Sequence, residues 1–170
     1  MSQAPLRPTA GGAEVPITRA SPAERVVLVT HRAAEVTEAA LPTVLAILHE
    51  AQVDVLVSNE EKEKHPSLVE YASSDGVELG PGGGDLVVVM AGDGTILRAL
   101  GGEGRQGAPV LGINYGRVGF LASIEKSGIE RGLRRALEGD YLIIELPALA
   151  AEWAGQRVSA VNDLALMRGG

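Results

Sequence analysis

A carboxylate flanked by glycines, Gly92-Asp93-Gly94-Thr95, directly follows the apolar run Leu86–Ala91. Glycines can adopt left-handed dihedrals and let a phosphate approach the backbone. A helix opening here offers free N–H groups to an anion, and Thr95 is placed to cap it. Asp93 would then lie beside a bound phosphate or hydroxyl. There it could orient or deprotonate an attacking hydroxyl, or hold a magnesium ion. Arg98, one turn further on, is a candidate for the same ligand. The plainer reading is that Asp93 only supports a tight turn. No Gly-Lys-Ser/Thr follows, so this is not a Walker A loop, and the three spaced glycines of the dinucleotide fingerprint are missing.

A second glycine-bearing turn, Asn114-Tyr-Gly-Arg-Val-Gly-Phe-Leu121, follows the apolar segment Val110–Ile113. The Asn114 amide could bind a ribose or phosphate oxygen. Gly116 and Gly119 would permit a sharp ligand-facing turn, and Arg117 could reach an acidic substrate. The plainer readings make Asn114 a turn former and Arg117 a solvated charge. Phe120 is expected to plug the core. Asn162-Asp163 interrupts a strand-like run, where polar residues are costly unless hydrogen-bonded or facing a cleft. His31, His49 and His65 show no metal-ligand spacing, and His49 reads as a surface residue late in a helix. The metal ligands are therefore unknown, and no serine nucleophile elbow exists.

These residues need elements to hold them. Of 170 residues, 45 % are hydrophobic and only 3 % aromatic, so the core must be built from Val, Leu, Ile and Ala. That composition suits parallel strands covered by helices. Net charge is -7, with Arg131, Arg134 and Arg135 as the only local basic cluster, which argues against a nucleic-acid groove. The chain has no cysteine, which removes disulfides, thiolate nucleophiles and Cys-based metal sites. It has no apolar run of membrane-spanning length and no signal-peptide core, so a soluble cytoplasmic protein is expected.

Residues 1–24, rich in Pro and Gly, read as a disordered tail. Strands are expected at Val26–Val29, Val53–Val57, Leu86–Met90 and Val110–Ile113. Helices are expected from about Glu35 to Glu50, from Thr95 to Leu100, and from Glu125 to Glu138, where Ile129, Leu133 and Leu137 mark one face. Pro42 suits only a first turn, so the first helix is expected to start late. Residues 59–85 read mostly as loop, with a short helix near Pro66–Tyr71. After Asp140 the texture changes. Tyr141–Leu146 and Arg157–Met167 look like strands joined near Ala154-Gly155. The expected architecture is α/β: a Rossmann-like three-layer domain over 25–140 with a mostly parallel sheet, then the incomplete start of a β-rich domain over 141–170.

With both turns in view, the chain from Arg25 onward resembles the N-terminal half of the NAD kinases. That family carries Gly-Gly-Asp-Gly-Thr at a strand end, matched by Ala91–Thr95, and Asn-x-Gly-x-x-Gly-Phe-Leu, matched in full by Asn114–Leu121. Its later Asn-Glu pair aligns with Asn162-Asp163. Diacylglycerol and sphingosine kinases share the first motif, and the second separates NAD kinases from them. The resemblance implies ATP-dependent phosphorylation of the 2'-hydroxyl of the adenosine ribose of NAD, giving NADP, with polyphosphate as donor in some members. It implies that Asp93 is the base and that the Gly92, Gly94 and Thr95 turn cradles phosphates. Asn162 and Asp163 would bind NAD, magnesium would accompany the phosphoryl donor, and the protein would be a homodimer or homotetramer.

The chain departs from the family pattern. Ala91 replaces the first motif glycine, Asp163 replaces Glu, and Leu146 stands roughly where the family has an arginine. It is read as a truncated or divergent member, largely without the β-rich domain that supplies further NAD contacts and part of the subunit interface. Whether these 170 residues turn over alone stays open. The alternatives are a non-catalytic nucleotide-binding remnant of an NAD kinase and a lipid kinase of the diacylglycerol kinase type.

Overall fold

The computed structural model describes residues 17–74, 85–101, 107–116, 119–153 and 155–161. Its centre is a six-stranded sheet in the order β4-β3-β2-β5-β6-β7, formed by Ala72–Ser73, Asp54–Val57, Arg25–Thr30, Leu86–Ala91, Val110–Asn114 and Ile124–Glu125. Every pairing in it is parallel. The chain runs outward from β2 through β3 to β4, then returns to lay β5 against the other side of β2. In open sheets of this kind, ligands bind outside the carboxyl ends of the strands at such a reversal of strand order.

The apolar run Leu86–Ala91 forms β5 because both of its faces are covered, and all six residues are fully buried. Leu86, Val88 and Met90 face α1 (Leu41–Glu50) and α4 (Ile129–Leu137) in one core cluster. Val87, Val89 and Ala91 face the other way, against Ile96 and Ala99 of α3 (Asp93–Gly101). The two-residue side-chain period thus splits one strand between two cores and produces three layers.

Pro42 lies in the first turn of α1, and Ala34–Val36 form a separate 3-10 turn before it. The first helix therefore begins later than Glu35, as its proline requires. His49 is exposed near its end. The helix expected near Pro66–Tyr71 is only a 3-10 turn, Pro66–Leu68. A true helix, α2 (Asn59–Lys64), precedes it, with Ser58 Oγ accepting the Glu61 N–H as its cap. Eleven residues of the expected loop region sit in these two elements and the short strand β4; its glycine-rich part, 75–84, lies outside the described residues.

Two smaller sheets follow different partners from those expected. β8 (Leu142–Ile144) pairs antiparallel with β1 (Ile17–Arg19), a strand within the expected tail. β9 (Leu149–Trp153) and β10 (Gln156–Ala160) form a hairpin. The turn expected near Ala154-Gly155 thus joins β10 to an unforeseen strand, not to Tyr141–Leu146. Gly139 closes α4 with φ +74°, and a Cβ there would lie 2.6 Å from the Ser21 backbone. The helix end and the segment before β2 pack too closely for any side chain. No helix among the described residues is long and apolar enough to cross a membrane.

Candidate functional site

The two glycine-bearing turns lie side by side because Ala91 at the end of β5 pairs with Asn114 at the end of β6. The Tyr115 N–H donates to the Ala91 carbonyl at 3.0 Å and extends this pairing beyond the strands. Both turns face the carboxyl edge of the sheet, next to the reversal at β2.

Helix α3 starts at Asp93, two residues earlier than expected. The Gly92 carbonyl accepts the N–H groups of Thr95 (3.0 Å) and Ile96 (3.2 Å). Thr95 therefore sits inside the first turn and does not cap it. Its hydroxyl instead accepts Arg98 Nη2 at 3.4 Å. The N–H groups of Asp93 and Gly94 have no backbone acceptor among the described residues, as befits a helix start that can receive an anion.

Neither Gly92 nor Gly94 has a positive φ. The left-handed turn expected for them is absent, and close approach is the reason for Gly92: a Cβ there would lie 3.3 Å from Gly116 Cα. Gly94 is exposed, and a Cβ there would meet nothing within 4 Å. Its bare backbone faces open space at the helix start. Ala91 also has no positive φ, and its methyl group is fully buried. Alanine in place of the first motif glycine therefore carries no backbone strain here.

Asp93 ties the turns together. Its Oδ2 accepts the Phe120 N–H at 3.0 Å and its Oδ1 accepts the Leu121 N–H at 3.2 Å. A carboxylate has about four acceptor positions, so each oxygen keeps one for a ligand hydroxyl. Phe120, expected as a core plug, is 88 % exposed. Its backbone N–H is held by Asp93 while its ring stands in solvent.

Asn114 behaves largely as a turn former. Its Oδ1 accepts the Gly116 N–H at 3.1 Å, and its Nδ2 donates to Glu125 Oε1 and Oε2 at 3.1 and 3.3 Å. The sequence reading missed Glu125; the signal lay in β6–β7 pairing, which sets Asn114 opposite Glu125. Tyr115 is buried beneath the loop, with Lys126 Nζ 4.6 Å from its ring centre, and burial pushes its phenol above the ordinary value. Arg117, Asn162 and Asp163 lie outside the described residues.

A second polar group was also missed. Thr30, at the carboxyl end of β2, donates its hydroxyl to Glu61 Oε2 at 2.6 Å. That uses its single hydrogen, so the 3.1 Å contact with His65 Nε2 is donated by the histidine. Lys64 Nζ donates to Glu61 Oε1 at 2.6 Å. Thr30, Glu61 and His65 are all buried. Residues 59–64 fall in the segment expected mostly as loop; only tertiary packing turns Glu61 inward. Among the described residues, no three His, Asp or Glu side chains gather into a possible metal site.

Comparison with known proteins gives this geometry a family. The sequence model described as the ATP-NAD kinase N-terminal domain matches residues 25–141. The NAD kinase of Corynebacterium diphtheriae is 39 % identical over 155 residues, covering 82 % of this chain and 49 % of that protein. The NAD kinase of Bordetella pertussis is 36 % identical over 138 residues, covering 78 % of this chain and 46 % of the relative. The chain thus spans about half the length of the curated relatives it matches. A crystal structure of yeast NADH kinase complexed with NADH superposes with a TM-score of 0.59 at 18 % identity, over 82 % of this chain and 46 % of that one, and shares the fold. On the match across 25–141 and the two turns it contains, the chain belongs to the NAD kinase family.

Proposed function

We propose that this chain carries the phosphoryl-transfer half of an NAD kinase, which moves the γ-phosphoryl group of ATP to the 2'-hydroxyl of the adenosine ribose of NAD. The observation that carries the reading is the position of Asp93. Its carboxylate lies at the start of α3, beside N–H groups with no backbone acceptor among the described residues, at the sheet edge where the strand order reverses. In this reading Asp93 accepts the proton of the attacking 2'-hydroxyl on its unused acceptor positions. The N–H groups of Asp93 and Gly94 receive phosphate oxygens, and Arg98 supplies positive charge one turn away. Exposed Phe120 offers an aromatic face beside them. Asn162 and Asp163 would complete the NAD contacts from the β-rich segment. Magnesium would accompany the triphosphate and neutralise its charge.

The test is NADP formation from NAD, ATP and magnesium by the purified chain, with Asp93→Asn as control and polyphosphate as a second donor. NADP production that vanishes in the variant supports the reading. NAD binding by folded protein without turnover, in this chain and in a version extended through the β-rich domain, would sink phosphoryl transfer and leave a nucleotide-binding protein. Sedimentation of the extended version tests the homo-oligomer.

A further inference from the structure

We infer that Glu125 is a positioning residue for this site, acting through Asn114 on the loop that Asp93 grips. The inference rests on the nucleotide reading proposed above and names a residue that builds that site without touching the ligand.

A carboxylate only accepts hydrogen bonds, whereas an asparagine amide has one accepting and one donating end. Both Glu125 oxygens face Asn114, at 3.1 and 3.3 Å, so Nδ2 must be the end that meets them. Oδ1 is thereby turned to the Gly116 N–H, which it accepts at 3.1 Å. A flipped amide would set Nδ2 against that N–H, donor against donor. Glu125 therefore fixes which way the amide lies, and the amide fixes the turn.

The turn is closely built around this side chain. A Cβ on Gly119 would come within 3.0 Å of both Asn114 Oδ1 and Cγ. The next two residues, Phe120 and Leu121, give their N–H groups to Asp93. Asn114, held by Glu125, thus lies against Gly116 and Gly119, and the two residues after Gly119 meet the Asp93 carboxylate. Glu125 itself is exposed, and β7 is anchored by buried Ile124 and its pairing with β6. Changing the Glu125 side chain removes no core contact, so a variant tests position without unfolding the domain.

The experiment measures binding of NAD and of ADP by calorimetry, with amide hydrogen exchange of Gly116, Phe120 and Leu121 in the unliganded protein. Glu125→Ala is expected to weaken binding about ten-fold, the equivalent of roughly one hydrogen bond, and to speed exchange at all three amides. Glu125→Gln keeps an accepting oxygen and is expected to bind within about three-fold of the parent. In an Asn114→Ala background, Glu125→Ala is expected to add nothing, because the residue it acts through is gone. Unchanged exchange at Phe120 and Leu121 in Glu125→Ala overturns the inference, as do additive losses in the double variant. A parent protein that binds neither nucleotide refutes the functional reading instead, while the exchange data still decide the role of Glu125.

Discussion

Asp93 Oδ2 accepts the backbone N–H of Phe120 at 3.0 Å, across 27 residues of chain. The proposed base is therefore also the clasp that joins two loops, and its position is set before any ligand arrives. This double use explains why the site needs both motifs. The first supplies the carboxylate and helix start, and the second supplies the donors that orient the carboxylate.

Replacing Asp93 by Asn should expose both uses at once. The amide nitrogen cannot accept, so one of the two N–H groups loses its partner, at a cost of about 0.5–1.5 kcal/mol at these exposed and part-buried bonds. Loss of a general base lowers turnover by about 10²- to 10⁴-fold. We expect kcat for NADP formation to fall by that order while NAD affinity changes less, with circular dichroism confirming the fold. An unchanged kcat would remove Asp93 from the chemistry.

Gly92 and Gly94 should separate fold from ligand. Gly92→Ala forces a methyl group to 3.3 Å from the Gly116 backbone and should lower stability by about 1 kcal/mol. Gly94→Ala enters open space on a helix, so its stability should stay within about 1 kcal/mol of the parent or rise. Its methyl group would nevertheless stand where the proposed function brings a phosphate. Urea melts paired with ADP titration distinguish the two: a Gly94→Ala protein that is stable and still binds ADP normally argues against phosphate approach at this turn.

The buried Thr30–Glu61–His65 group predicts strong coupling. Thr30→Val leaves Glu61 and His65 each short of a buried partner and should cost about 2–3 kcal/mol. Glu61→Gln keeps the shape but removes the charge that Lys64 neutralises. The two changes together should cost clearly less than their sum, because both break one network. Additive losses in chemical denaturation would mean that the contacts are independent.

Stability should fall at both pH extremes for assignable reasons. Burial lifts the phenols of Tyr115 and Tyr141, so the folded state favours their neutral form. That contribution is whole below about pH 10 and is lost as pH rises past the raised values. The hydrogen bond from Arg135 holds the Asp140 carboxyl below the ordinary range. Its contribution is present above about pH 4 and is lost as pH falls through the lowered value. Denaturant midpoints measured across pH should show a flatter alkaline limb in a Tyr115→Phe, Tyr141→Phe double variant. The acid limb should lose a small part of its slope in Arg135→Gln, since that pair is exposed and screened by solvent.

The central strands, the amphipathic face of α4 and the two glycine-bearing turns were legible in the chain, because each depends on residues close in sequence. Apolar β-branched runs have one low-energy use in a helix-covered sheet, and Ile129, Leu133 and Leu137 recur at helical spacing whatever surrounds them. The resemblance to NAD kinases likewise needed only local order. What the sequence by itself determined was therefore the parts and their family.

Which residues meet was decided by tertiary structure alone. Nothing local shows that β4 and β7 complete the sheet, since two-residue strands carry no period and exist only through their neighbours. Phe120 reads as core by its hydrophobicity but is held outside, because Asp93 binds its N–H and turns the chain there. Glu61 falls in a segment that reads as loop but is drawn inside, because Thr30, Lys64 and the cap at Ser58 satisfy it there. Glu125 acquires its partner only when β7 pairs with β6. In each case a hydrogen bond between segments distant in sequence outweighs the local preference, and such bonds are set by the fold rather than by spacing along the chain.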